Sequence, residues 1–186
     1  MVSQFISSHK VPLLGDLAFN FPEGIHAVGR LDRNSEGLLI LTTNKKVTRL
    51  LFESGTPHKR LYLVQVKKVV TPETLQQLRT GVSIRVKGGG DYITTPCEVE
   101  LVERPEDFIK LPVVLKEYNP SSWLLITLTE GKFRQVRKMV AAVHHQCKRL
   151  IRVAIEDITL EDLPTGGVRE MEEKDFFKQA KIEMQE

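Results

Sequence analysis

Short apolar runs with the two-residue period of a β-strand recur along this chain, and they limit the folds that it can adopt. The clearest is RLYLVQV at residues 60–66, where Leu61 and Leu63 share one face and Tyr62 and Val64 share the other. Further strands are predicted at residues 38–43 (the apolar run LLILTT), 83–86, 97–103, 113–117, 123–129 and 149–158. Strands therefore dominate, and the short turns between them favour antiparallel pairing.

Helical patterns occur between these strands at irregular intervals. Helices are predicted from a cap at Thr43 or Asn44 to residue 53, and at residues 71–81, 133–144 and 172–179. The helix at residues 71–81 begins with Thr71-Pro72, a cap followed by proline at the first helical position. In the helix at residues 133–144, an apolar stripe extends from Phe133 to Val143. Three glycines at residues 88–90 predict a flexible turn or bulge. The pattern as a whole predicts the α+β class.

The charge is distributed unevenly along the 186 residues. Residues 1–154 hold 23 basic and 14 acidic side chains, whereas residues 155–186 hold 4 and 10. A basic body with an acidic C-terminal segment is typical of a polyanion-binding surface followed by a solvated terminus. The length allows one domain with a sizeable core.

The sequence lacks motifs for a metal or a cofactor, so we expect the chemistry to depend on side chains alone. It contains no phosphate loop, no dinucleotide motif and no G-x-S-x-G motif. His144 and His145 are adjacent and cannot both face one metal from a helix. Cys97 and Cys147 lack zinc-site spacing and are typical of reduced thiols. No apolar run reaches the ~20 residues that span a membrane. We expect a cytoplasmic protein and, on length alone, a monomer.

The stretch GRLDR contains the first candidate site. It places Asp32 between Arg30 and Arg33, just before the apolar run. Cations beside a carboxylate favour its ionised form. An ionised carboxylate held in place is a competent nucleophile for an electrophilic sugar carbon. The alternative is a solvated surface ion pair.

The stretch GKFRQVRK is a second candidate site, at the start of the predicted helix at residues 133–144. The helical spacing predicts that Arg134, Arg137 and Lys138 share one face, opposite the apolar stripe. Three like charges so close together suggest that an anion compensates them, and a helix start favours phosphate. A solvated helix face remains the alternative.

Tyr62 is a third candidate, because it is the only aromatic residue in its strand and follows Lys59 and Arg60. An aromatic ring beside cations can stack on a nucleobase. Packing in the core or at its rim is the alternative.

These strings, in this order, resemble the RsuA-type family of RNA pseudouridine synthases. The likeness rests on GRLDRNSEGLLILTTN, RLYLVQV, GKFRQVRKM and RLIRVAI, and it extends over roughly residues 1–169. It implies the fold of that catalytic domain: a mixed, mostly antiparallel sheet with helices packed around it and a central RNA-binding cleft. It also implies cofactor-independent isomerisation of a uridine to pseudouridine, in large-subunit ribosomal RNA.

The resemblance also assigns roles to residues. Asp32 matches the nucleophile, Tyr62 the ring that stacks on the target uracil, and Arg137 the basic partner of the aspartate. Leu150 matches an apolar residue of the base pocket. Residues expected to contact RNA are Arg30, which matches an arginine that occupies the gap left by the extruded nucleotide, and Arg33, Arg60, Lys132, Arg134, Lys138, Lys148 and Arg149.

We expect residues 1–170 to form the catalytic domain and residues 171–186 to form a separate acidic segment. Relatives usually begin with an additional strand, which we expect this chain to lack, and we expect no S4-type RNA-binding domain before the catalytic part. Two other functions are compatible with the residues. One is a non-catalytic rRNA-binding or ribosome-assembly module. The other is a glycosidase, for which only Glu36 lies close enough in sequence to serve as the second carboxylate.

Overall fold

The computed structural model describes residues 1–52, 55–109 and 120–183. The helices are α1 (Val47–Phe52), α2 (Pro72–Thr80), α3 (Gln135–Ala142) and α4 (Glu173–Gln179). The strands are β1 (His26–Ala27), β2 (Glu36–Gly37), β3 (Leu41–Thr42), β4 (Arg60–Lys67), β5 (Ser83–Arg85), β6 (Asp91–Ile93), β7 (Glu98–Val102), β8 (Ser121–Leu128), β9 (Cys147–Ile155) and β10 (Ile158–Thr159).

The main sheet has the strand order β10-β9-β4-β8-β7, and β2 adds to β9 in parallel. All other pairs in it are antiparallel. β4 lies at its centre and pairs along its whole length with β8, from Arg60 opposite Leu128 to Lys67 opposite Ser121. The expectation of a mixed, mostly antiparallel sheet in an α+β fold is confirmed.

The alternation of β4 distributes its side chains between two apolar cores. Leu61 and Leu63 pack in the core that also contains the buried α4 residue Phe177. Tyr62 and Val64 pack in the core on the other face, which α3 covers. Both faces of the strand are therefore covered, which explains why its central residues are buried whichever way they point.

Several elements follow the predicted local signals. The Thr71 side chain accepts a hydrogen bond from the Thr74 backbone N–H at 3.3 Å, and Pro72 opens α2 as predicted. Gly81 ends this helix with φ +105°. Residues 88–90 form the turn between β5 and β6, where the Val86 N–H donates to the Gly90 carbonyl at 2.9 Å. The turn is confirmed, and β6 is a strand that the pattern did not predict.

Three predictions of regular structure are wrong. The strand predicted at residues 149–158 is divided, because the chain turns at residues 156–157 and β10 pairs back on β9. Residues 38–43 do not form one strand, because the chain leaves β9 after β2 and pairs again only in β3, with β1. The predicted helix at residues 133–144 begins later, at Gln135, since Arg134 has φ +55° and cannot continue a right-handed helix. Phe133 is consequently 62% exposed instead of lying in the apolar stripe. The strand predicted at residues 113–117 lies outside the described residues.

The acidic C-terminal segment contributes to the core. α4 inserts Phe177, and Ala180 after it is fully buried in the same core as Val28 and Ile155. Lys181 pairs with Asp157 at 2.9 Å, which fixes this end of the chain to the turn between β9 and β10. No helix in the described part of the chain combines the length and apolarity needed to cross a membrane.

Candidate active site

A cleft of about 670 Å³ opens where β4 begins. Its walls come from segments that are distant in sequence: residues 2–4, residues 29–32, the end of α1, the start of β4, residues 129–134 and one residue of β9. Six of the predicted site residues line it: Arg30, Asp32, Arg60, Tyr62, Lys132 and Arg134. The fold therefore brings the three candidate stretches together around one cleft.

The backbone of the GRLDR stretch holds Asp32 at the edge of this cleft. Gly29 has φ +71° and lies against the Phe52 ring, where a Cβ would be 3.1 Å from the nearest ring carbon. The Ser3 hydroxyl accepts from the Leu31 N–H at 3.0 Å and donates to the Leu31 carbonyl at 3.1 Å. The Asp32 carbonyl then accepts from the Ser35 N–H at 2.8 Å and closes a turn. The Asp32 side chain is only 23% exposed.

The cations that meet Asp32 come from the second stretch and not from its own. Arg134 Nη1 lies 3.4 Å from Asp32 Oδ2, and Arg137 Nε lies 4.0 Å from the same oxygen. Within the described chain, Arg30 and Arg33 form no ion pair with Asp32, and both are exposed. The expectation that the two flanking arginines hold the carboxylate is therefore wrong, because neighbouring side chains in a turn diverge.

Arg137 is fixed by the same loop that carries Asp32. It is 12% exposed, and its Nη2 donates to the Asn34 carbonyl and to Ser35 Oγ, the latter at 3.4 Å. Its Nη1 lies 3.4 Å from Cys147 Sγ. These contacts immobilise Arg137, and its Nε, which is directed at the carboxylate, has no hydrogen bond to any described residue.

The left-handed conformation of Arg134 separates it from the helix face that the sequence predicts. Arg134 precedes α3 and turns toward Asp32. Lys138 lies elsewhere, because its Nζ donates to the Arg85 carbonyl at 2.6 Å. The three cations therefore do not form one helical face, and the prediction of such a face is wrong.

Tyr62 and Arg60 form the part of the cleft contributed by β4. Tyr62 is half-buried and pairs with Ile126 on one side and Arg152 on the other. The Arg60 guanidinium lies over the Phe52 ring at 5.3 Å. A Cβ on Gly131 would meet Arg60 Nη1 at 2.9 Å, so Gly131 lies directly against the end of the Arg60 side chain.

The remaining predicted site residues lie apart from the cleft wall. Arg149 forms a bidentate pair with Glu36, at 3.0 and 2.7 Å, on the sheet face that also bears Trp123. Leu150 is buried in the core that Tyr62 contacts and is not a wall residue of the cleft. Lys148 is exposed on β9, as is Arg33 in its turn.

Sequence reasoning missed Glu130, which organises one wall of the cleft. Its carboxylate accepts hydrogen bonds from the Tyr92 hydroxyl, from the Thr95 N–H at 3.0 Å and from Gln135 Nε2 at 2.6 Å. Partial burial by itself raises the pKa of Glu130, but these hydrogen bonds outweigh it and hold the pKa below its ordinary value. Lys132 lies over the Tyr92 ring at 4.5 Å. Glu130 thus connects the β5–β6 hairpin to the segment that presents Arg134.

Ser3 and Arg152 were also missed. Ser3 lies in a loosely patterned segment, and nothing in the sequence marks it. Arg152 is marked in the sequence, because it is a charged residue inside the apolar run that forms β9, and in the structure its exposure is 4%. Such a residue is rarely buried without a specific partner.

Comparison with known proteins shows which family matches the segments that hold most of these site residues. The family described as RNA pseudouridylate synthase matches residues 13–142, which include the Asp32 loop, Tyr62 and the Arg134–Arg137 stretch. The chain belongs to this family. Pseudouridylate synthases are isomerases, and the resemblance drawn from the sequence motifs is confirmed at the level of family and fold.

Relatives and solved structures agree with this membership. Ribosomal large subunit pseudouridine synthase E of Vibrio parahaemolyticus is 37% identical over 149 residues, which are 80% of this chain and 60% of that protein. The protein of the same name from Xanthomonas axonopodis pv. citri is 36% identical over 168 residues, 88% of this chain and 84% of that one. A crystal structure of a pseudouridylate synthase matches 87% of this chain and 63% of its own with a TM-score of 0.65 and 23% identity, so it shares the fold.

Proposed function

We propose that this chain converts a uridine of large-subunit ribosomal RNA to pseudouridine, with Asp32 as the nucleophile. The observation that carries the proposal is a carboxylate at the edge of a basic cleft, paired with two arginines and sharing the cleft with a half-buried tyrosine. The names of the Vibrio and Xanthomonas relatives support the choice of large-subunit rRNA as the substrate. We also propose that the protein acts in the cytoplasm, as a monomer and without a cofactor.

The reaction requires the target uridine to leave its stack. Extrusion costs a few kcal/mol, which contacts with the bound RNA must offset. The cleft offers the Tyr62 ring for stacking, and Arg30, Arg60, Lys132 and Arg134 as cations for the RNA backbone. Stacking on an aromatic ring contributes about 1–3 kcal/mol per base, so Tyr62 alone recovers a large part of the cost. In this proposal Arg33, Lys138 and Lys148 contact RNA outside the cleft wall.

Asp32 acts at C1′ of the extruded nucleotide. In direct attack, one carboxylate oxygen bonds to C1′ as the N1–C1′ bond breaks, and the electron pair remains on the uracil. The uracil then turns so that C5 faces C1′, the C5–C1′ bond forms as the carboxylate leaves, and the C5 proton is lost while N1 gains one. In the glycal route the same carboxylate instead removes the proton of C2′ as the N1–C1′ bond breaks, and it returns this proton to C2′ when C5 bonds to C1′. Both routes need a carboxylate held in a fixed position, which Arg134 and Arg137 provide.

A glycosidase is less well supported. Hydrolysis of a glycoside requires a second carboxyl group as general acid. Glu36, the nearest one in sequence, has both carboxylate oxygens bound by Arg149 and does not line the cleft.

The test is reverse-transcription mapping of pseudouridine in unmodified large-subunit rRNA incubated with the protein. The expected result is a new stop at one uridine with the wild-type chain and none with Asp32→Asn. No new stop with either protein, while RNA binding persists, would favour a non-catalytic rRNA-binding module.

A further inference from the structure

Arg152 is a buried charge without a counter-ion in the described part of the chain. It lies in β9, is 4% exposed, and no described carboxylate comes within 4.0 Å of it. Its Nε donates to the Leu38 carbonyl at 2.8 Å, but its Nη2 is buried and has no hydrogen-bond partner among the described residues. A buried donor without a partner is unfavourable and persists in a folded protein only when something compensates it.

The position of Arg152 connects the two segments that carry the site. On one side, Arg152 pairs with Gly37 of β2, and the Arg152 carbonyl accepts a hydrogen bond from the Leu38 N–H at 2.8 Å. On the other side, Tyr62 of β4 is its antiparallel partner. Directly opposed residues in antiparallel strands project from the same face, so the guanidinium lies beside the phenol, and both line the cleft.

The electrostatic environment of the guanidinium agrees with this geometry. Burial lowers the pKa of Arg152, the Tyr62 side chain opposes this effect, and the nearby Arg60 adds to it. The Tyr62 phenol is therefore the group among these neighbours that favours the charged form of Arg152.

We propose that Arg152 is a positioning residue for Tyr62, whose hydroxyl oxygen accepts a hydrogen bond from Arg152 Nη2 when the target base stacks on the ring. Hydrogen bonds of active sites are often incomplete in the free enzyme and form with substrate bound. The bond orients the phenol and stabilises negative charge that develops on its oxygen during proton transfer. The inference rests on the proposed function, because it assigns Tyr62 to the reaction.

The first test is a double-mutant cycle on the single-turnover rate of pseudouridine formation. Arg152→Lys retains the charge but loses the planar fork of donors. We expect the rate to fall about 10- to 100-fold, the equivalent of one hydrogen bond from a charged donor, with RNA affinity unchanged within about twofold. In a Tyr62→Phe background the same substitution should have almost no effect, because the acceptor is already gone. An equal fall in both backgrounds would overturn the proposal and leave Arg152 as a structural connection to Leu38.

Arg79 provides the matched control for this cycle. It also donates its Nε to a main-chain carbonyl, that of Val99 at 2.8 Å, and it does not line the cleft. Arg79→Lys should leave the rate unchanged in both backgrounds. Urea midpoints for each variant identify any loss of rate that comes from unfolding.

The second test needs no catalytic activity and therefore separates this inference from the proposed function. Tyrosine labelled with ¹³C at Cζ gives one NMR signal for each of the three tyrosines, and Tyr62→Phe identifies that of Tyr62. Arg152→Lys or Arg152→Gln should shift the Tyr62 signal, more with rRNA fragments bound than without, while the Tyr92 signal stays in place. A Tyr62 signal that is identical in wild type and both variants would overturn the proposal even if the enzyme is active.

Discussion

Replacing Gly37 with alanine tests how the Asp32 loop is attached to the sheet. Gly37 lies in β2, immediately before the chain leaves β9, and has φ +100°. An added Cβ would lie 2.3 Å from the Arg152 carbonyl oxygen and 2.7 Å from its backbone nitrogen. Both contacts are with the backbone of β9, an interior strand of the main sheet, which cannot move aside as a flexible side chain can.

The expected cost has three parts. The positive φ costs an alanine about 1–2 kcal/mol. The clash with the Arg152 backbone costs about 1–3 kcal/mol as overpacking. If the strands separate to relieve it, the hydrogen bond from the Leu38 N–H to the Arg152 carbonyl is lost as well, at about 0.5–1.5 kcal/mol. The free energy of unfolding should therefore fall by about 2.5–6.5 kcal/mol in total.

Gly89→Ala is the matched control, because Gly89 has φ +96° and no described atom lies within 4 Å of an added Cβ. It should lose only the conformational part, about 1–2 kcal/mol. With a urea slope of about 2 kcal/mol per molar, the two variants should differ in midpoint by about 1–2 M, and Gly37→Ala should also lose activity. A Gly37→Ala midpoint equal to that of Gly89→Ala would refute the close β2–β9 pairing.

Three further predictions concern charge and burial around the site. Because the pKa of Glu130 is held low in the folded protein, ionised Glu130 stabilises the fold above its unfolded pKa of about 4.3. The difference in the free energy of unfolding between wild type and Glu130→Gln should therefore shrink below that pH. A difference that stays constant from pH 3 to 7 would contradict this. Burial raises the pKa of Cys97 to about 11 and also raises that of Cys147, so a disulfide reagent at pH 8 should modify folded protein far more slowly than protein in urea; equal rates would contradict this. Lys132→Ala should reduce the slope of log affinity for rRNA against log salt concentration by about 0.7–0.9, whereas Lys174→Ala on α4 should leave the slope unchanged. Equal slopes for the two variants would show that Lys132 does not contact the RNA.

The sequence predicts the strands of the main sheet well, because their signals are local. β4 and β8 alternate or run apolar over eight residues each, which is long enough for the two-residue period to be visible. α2 is equally clear because its cap and its proline are adjacent. By contrast, β2 ends before the apolar run at residues 38–43, and β3 takes only two residues of it. The two strands pair with different partners, so the position of each depends on tertiary contacts.

The members of the candidate site are predicted, and the family resemblance also predicts the pairing of Arg137 with Asp32, whereas nothing predicts the pairing of Arg134 with Asp32. Asp32, Tyr62 and Arg134 are identified by motif and do line one cleft. The partners of Asp32 could not be predicted from the residues beside it, because Arg134 and Arg137 reach it from more than 100 positions away. The left-handed backbone of Arg134 determines that its side chain reaches Asp32. A helical sequence pattern does not predict a left-handed conformation at a residue other than glycine.

Release of tritium from rRNA labelled at uridine C5 tests the central claim most directly, because the C5 hydrogen is lost only when C5 bonds to C1′. The account predicts release by the wild-type chain up to one equivalent per rRNA molecule. It predicts no release above background by Asp32→Asn, although this variant has the same urea midpoint and the same RNA affinity. Equal release by both proteins would contradict the assignment of Asp32 as the nucleophile. An inactive wild-type chain that still binds rRNA would contradict the proposed function itself.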